Sequence, residues 1–66
     1  MTVTVNGEPH DLPRGQTVAR LVTTFTEQTA GVAVAVNDAV VPRGAWSTTE
    51  LADGDRVEVL TAVQGG

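Results

Sequence analysis

Val32-Ala33-Val34-Ala35-Val36-Asn37-Asp38-Ala39-Val40-Val41-Pro42 is the segment on which the fold turns. Its first five residues are apolar on both faces, large side chains on one and small on the other, which is the pattern of a central strand and not of a half-wetted one. Asn37-Asp38 then turns the chain into Ala39-Val40-Val41, and Pro42, which has no amide hydrogen to give to a ladder, stops that strand early. A strand so short suits a sheet edge.

Downstream, an irregular stretch through Trp46 and Leu51 leads to Asp53-Gly54-Asp55, a turn signal, and then to Arg56-Val57-Glu58-Val59-Leu60-Thr61, whose alternating start marks a last strand. Upstream, Val18, Leu21, Val22 and Phe25 recur at i, i+3, i+4 and i+7, one apolar stripe on a helix. Thr17 is its N-cap, although no Glu or Gln follows three residues later to complete a capping box. Thr23, Thr24, Thr26 and Thr29 weaken the helix, so the packing of the stripe must hold it; about three turns are expected, closed by or soon before Gly31.

At the start of the chain, Thr2-Val3-Thr4-Val5 alternates with period two and Asn6-Gly7 is a dipeptide able to take positive φ at both centres of a tight turn. The returning arm, residues 8–12, carries Pro9 and is closed by Pro13, so it too must lie at an edge. The string is ββαβββ. Hairpins pair the first strand with the second and the third with the fourth, the second and fourth are edges, and the apolar third and fifth need interior places. Sheet order 2-1-5-3-4 satisfies all of these conditions, with one helix on one face. This is an α+β chain of β-grasp (ubiquitin-like) architecture, with residues 1–64 as the domain and 65–66 as a flexible Gly-Gly tail.

A chain of 66 residues is one domain at most and buries only about 60% of the surface its unfolded form exposes. It has no cysteine, which removes disulfides, thiolate metal sites and any thiol nucleophile. The net charge is −4, there is no lysine, and Arg14, Arg20, Arg43 and Arg56 are scattered, so neither a basic stripe for nucleic acid nor a polybasic membrane anchor exists. No apolar run reaches spanning length and no signal-peptide pattern follows Met1; a cytoplasmic protein, monomeric when free, is expected.

The tail suggests a role. Glycines lacking Cβ can thread a narrow channel and deliver a carboxylate into another protein's active site; the bland alternative for Gly65-Gly66 is a frayed terminus or an expression scar. A terminal carboxyl, with a pKa of about 3.5, is ionised at neutral pH and a poor electrophile. Adenylation would supply a leaving group that a partner's nucleophile could displace.

Asn6-Gly7, Gly15-Gln16-Thr17-Val18, Val34-Ala35-Val36-Asn37, Val40-Val41-Pro42-Arg43 followed by Trp46, Asp53-Gly54-Asp55 with Val57-Glu58-Val59, and Gly65-Gly66 are weak signals singly. In this order and at this length the chain resembles the ThiS/MoaD family of ubiquitin-like sulfur carriers over essentially its full extent. The resemblance implies that the chain is not an enzyme but a protein co-substrate, a sulfur carrier of thiamine biosynthesis. Its Gly66 carboxylate would be adenylated by a ThiF-type enzyme, which uses ATP, and converted to a thiocarboxylate with sulfur drawn from cysteine through a desulfurase. The sulfur would then pass to the thiazole on the synthase ThiG, with Gly65 and Gln64 threading into the partner and no cofactor bound by the carrier itself. Without cysteine, the C-terminus is the only place where this chain could carry sulfur in reactive form; thiazole as the destination comes from the resemblance alone.

Three rival readings remain. The small subunit of molybdopterin synthase is also a β-grasp thiocarboxylate carrier ending in Gly-Gly, but is usually longer and tends to carry aromatic or proline residues near the tail. A protein-binding β-grasp module with an inert tail is the second. A ubiquitin-type modifier is the third, although a chain without lysine cannot form lysine-linked chains of itself.

Strand parity marks a docking surface. If Val57 and Val59 face the helix, Leu60 and Ala62 face away, and with Val34 and Val36 inward, Ala33 and Ala35 lie outward beside them. His10, the sole histidine, lacks companions for a metal or base site and reads as an exposed edge-strand residue. Trp46 reads as a core plug, Asn37 and Gly54 as positive-φ turn residues, and Asp53 and Asp55 as solvated charges beside the turn. Those two acids, with Glu50 and Glu58, could also meet a basic partner.

Overall fold

The computed structural model describes residues 1–26 and 31–61. Strands β1 (Thr2–Val5) and β2 (Glu8–Asp11) precede helix α1 (Val18–Phe25), and strands β3 (Val32–Val36), β4 (Ala39–Val41) and β5 (Arg56–Thr61) follow. They form one five-stranded sheet in the order β2-β1-β5-β3-β4. Only the β1–β5 pair is parallel, with Val5 in register with Val57; the other three pairings are antiparallel. This is the expected β-grasp arrangement, with proline-limited β2 and β4 at the two edges.

Both hairpins turn through residues of positive φ. Asn6 and Gly7 stand at 52° and 85°, Asn37 and Asp38 at 51° and 70°, so each tight turn has the backbone twist that matches its strands. The core is one cluster: Val3 and Val5 from β1, Val34 from β3, and Val57 and Val59 from β5 meet Val18, Leu21 and Val22 of α1, while Trp46 and Leu51 close it from the connecting segment. Each aliphatic side chain buried in this way contributes about 1.5–3 kcal/mol relative to exposure.

The helix begins as expected and ends sooner. Thr17 Oγ1 accepts the Arg20 N–H at 3.3 Å. The missing capping box is replaced by tertiary acceptors, since the Val18 N–H donates to the Thr49 carbonyl at 2.9 Å and the Ala19 N–H to that of Trp46 at 3.1 Å. Eight residues, a little over two turns, take the place of the three turns the stripe suggests. The hydroxyls of Thr23 and Thr24 donate to the carbonyls of Arg20 and Leu21, and Thr26 is already extended at φ −152°. Such bonds compete with the helical ladder. Phe25, the last residue of the stripe, is 41% exposed.

The second strand also stops one residue short of the expected Leu12, whose N–H nevertheless donates to the Met1 carbonyl at 2.7 Å. Ala62, Gln64, Gly65 and Gly66 lie outside the described residues, as does Thr29.

Candidate functional site: the outer sheet face and the strand that leads to the tail

Alternation along β5 buries Val57 and Val59 beneath the helix and turns Glu58 and Leu60 to the opposite face. The β3–β5 register sets Leu60 against Ala33 and Glu58 against Ala35, and the β3–β4 register sets Val40 on the far side of Ala35. Leu60 and Val40, 67% and 76% exposed, rim a shallow groove whose floor is Ala33 and Ala35 and whose polar end is Glu58. The expected grouping of Leu60, Ala33 and Ala35 is therefore present, and Val40 and Glu58 join it. Val40 was findable: a two-residue turn at Asn37-Asp38 forces it opposite Ala35.

Beside this groove, β5 is held from both flanks. On the β1 side the Thr4 N–H donates to the Asp55 carbonyl at 3.0 Å and the Asn6 N–H to that of Val57 at 2.9 Å. The Asn6 carboxamide adds two bonds, Oδ1 accepting the Val59 N–H at 2.9 Å and Nδ2 donating to the Val59 carbonyl at 3.1 Å. Asn6 had read as a turn residue only.

A model of the ThiS family matches residues 3–66. The chain belongs to the ThiS family. It is 32% identical to the sulfur carrier protein ThiS of Escherichia coli (strain K12) over 66 residues, which cover all of both chains. It is 36% identical over 66 residues to a thiazole synthase of Magnetococcus marinus, of which it spans 20%. Among solved structures, the thiamine biosynthesis protein ThiS of Geobacter metallireducens superposes with a TM-score of 0.84 at 35% identity, covering both chains entirely.

In this ThiS-family chain the other singled-out residues serve the scaffold. Trp46 plugs the core at 7% exposure, its Nε1–H donating to the Val41 carbonyl at 3.0 Å and its ring lying under the Arg43 guanidinium at 5.5 Å. His10 is half-buried rather than exposed: being opposite Val3, it faces the helix side of the sheet and meets Phe25 edge-on at 6.0 Å, with Nε2 buried and unpartnered among the described residues. Asp53 and Asp55 are not merely solvated. Asp53 Oδ1 accepts the Thr2 N–H at 2.8 Å, while Asp55 accepts the Ala52 N–H at 2.7 Å and a bond from Asn37 Nδ2 at 3.0 Å. Among the described residues no group of three His, Cys, Asp or Glu is placed to hold a metal, and no helix is long and apolar enough to cross a membrane.

Proposed function

We propose that this chain is a sulfur carrier protein of thiamine biosynthesis whose Gly66 carboxylate carries the sulfur. The observation that supports it most strongly is the end-to-end similarity to the sulfur carrier protein ThiS of Escherichia coli. A carboxylate oxygen attacks the α-phosphorus of ATP on a ThiF-type adenylating partner and pyrophosphate leaves; a persulfide supplied through a cysteine desulfurase displaces AMP to give an acyl disulfide, and a partner thiol cleaves its S–S bond, becoming a disulfide and leaving a thiocarboxylate at Gly66. The thiocarboxylate donates its sulfur on a thiazole synthase. That choice of acceptor is supported by the thiazole synthase of Magnetococcus marinus, whose own chain includes a segment similar to this one.

The carrier's share of the work is presentation. Gln64, Gly65 and Gly66 thread into each partner, and the apolar groove of Leu60, Ala33, Ala35 and Val40 supplies the docking surface. With neither cysteine nor lysine, the chain brings no thiol or lysine amine to intercept its own activated carboxyl. Catalysis, ATP binding and the sulfur nucleophile belong to the partners, and the setting is cytoplasmic.

Intact-mass measurement of the chain isolated from host cells lacking the thiazole synthase tests the reading, because loaded carrier should accumulate there. A population with one oxygen replaced by sulfur, located at the C-terminal peptide, is the expected result. A single unmodified mass in cells that retain the adenylating enzyme and the desulfurase would overturn it.

A further inference from the structure

We infer that Asn6 is a positioning residue for the tail: its carboxamide supplies the rung that β1 no longer has backbone to supply, and so fixes the end of the strand from which the tail departs. The inference rests on the carrier reading above.

β1 accompanies β5 for a short distance, with Thr4 and Val5 in register with Arg56 and Val57. Continued, the parallel ladder would give the Val59 N–H to the Asn6 carbonyl and the Val59 carbonyl to the N–H of residue 8, but Asn6 and Gly7, at φ 52° and 85°, carry the chain away into β2, and the Val59 N–H goes to Asn6 Oδ1 instead. β3 meanwhile stays paired to Thr61 on the other flank. Without Asn6, residues 59–61 would be held on one side only by the described residues. A carboxamide presents one acceptor and a donor in nearly the geometry of a peptide group, and here Oδ1 and Nδ2 engage the N–H and C=O of Val59 at 2.9 and 3.1 Å.

The residue type follows from two demands made at once. Positive φ restricts the position in practice to Gly, Asn or Asp. Of these, only Asn offers both a donor and an acceptor; Asp would set a carboxylate against the Val59 carbonyl, and Gly offers nothing. The consequence is functional because Gly66 lies five residues beyond Thr61 and its carboxylate must meet a nucleotide at a fixed reach, so the bearing of the last strand residues sets the fraction of encounters that are aligned.

The test is ATP–pyrophosphate exchange with the adenylating partner, run well below the melting temperature, on wild type, Asn6→Gly and Asn6→Asp, with amide hydrogen exchange measured on the same proteins. Asn6→Gly preserves the turn and removes the bridge. The expected result is a kcat about tenfold lower or more, with KM for the carrier changed less than about twofold, for both variants. The Val59 amide should exchange faster while that of Val34 stays protected. A purely stabilising bridge would lower the melting temperature and leave kcat of the folded chain at the wild-type value, and that outcome overturns the inference alone. An inert wild type overturns the carrier reading and this inference with it.

Discussion

Leu60 stands directly opposite Ala33 across the β3–β5 ladder, both side chains on the face away from the helix. A methyl group facing an isobutyl group leaves a step in the surface, and Val40, beyond Ala35, raises its other wall. The exposed large apolar residues of the described chain are Leu60, Val40 and Phe25, and two of the three rim this one groove. A partner covering it would recover the apolar burial that folding left undone.

Leu60→Arg should therefore weaken binding to both proposed partners, the adenylating enzyme and the thiazole synthase, by about tenfold or more, since a guanidinium in a dry contact is left unpaired. The circular dichroism spectrum should stay native, because the side chain takes no part in the core. Titration calorimetry with each partner decides; equal affinity for both would remove the groove from the docking surface.

Gly54 holds φ at +84° in the turn that delivers β5, and its N–H donates to the Thr2 carbonyl at 2.8 Å. Nothing lies within 4 Å of where a Cβ would sit, so any cost of substitution comes from the backbone alone. Gly54→Val should cost more than about 1 kcal/mol, lowering the thermal midpoint of so small a domain by about 4–8 °C per kcal/mol. A midpoint equal to wild type would show that the turn can adopt negative φ without loss.

Trp46→Phe deletes the donor to the Val41 carbonyl and the larger ring beneath Arg43. A loss of about 1–3 kcal/mol is expected, from the stranded carbonyl and the space left in the core. Chemical denaturation followed by circular dichroism measures it, the variant having no tryptophan to report by fluorescence. A stability within error of wild type would mean that Trp46 is dispensable to packing.

Deleting Gly66, or extending the chain beyond it with a tag, should abolish ATP–pyrophosphate exchange with the proposed adenylating partner while the fold survives, because the described core residues, Val3 to Val59, all precede it. Gly65→Ala should fold equally well and react far more slowly, a methyl group now standing in the threading path. A tagged or truncated chain adenylated as fast as wild type would show that another group reacts.

Local patterns carried the architecture. Alternation in Val32–Val36 and Arg56–Thr61, prolines at 9, 13 and 42, and turn dipeptides at 6–7 and 37–38 each restrict the backbone of a few neighbouring residues, and the sheet order follows because only one arrangement satisfies them together. The outward set of Leu60, Ala33 and Ala35 was legible for the same reason, since side-chain direction along a strand is a matter of parity.

Parity says which face a residue takes and nothing about what it meets there. That Asn6 would reach Val59, 53 residues away, that Asp53 would cap Thr2, and that His10 would lie under Phe25 depended on the register of strands brought together by burial of the whole core. The short helix belongs with these. Its periodicity runs to Phe25, but whether another turn follows is a contest between backbone bonds and the hydroxyls of Thr23 and Thr24, with little stripe left to bury beyond Phe25. A hydrogen bond between distant side chain and backbone tolerates only tenths of an ångström, and that tolerance is met or missed by packing, which no short stretch of sequence contains.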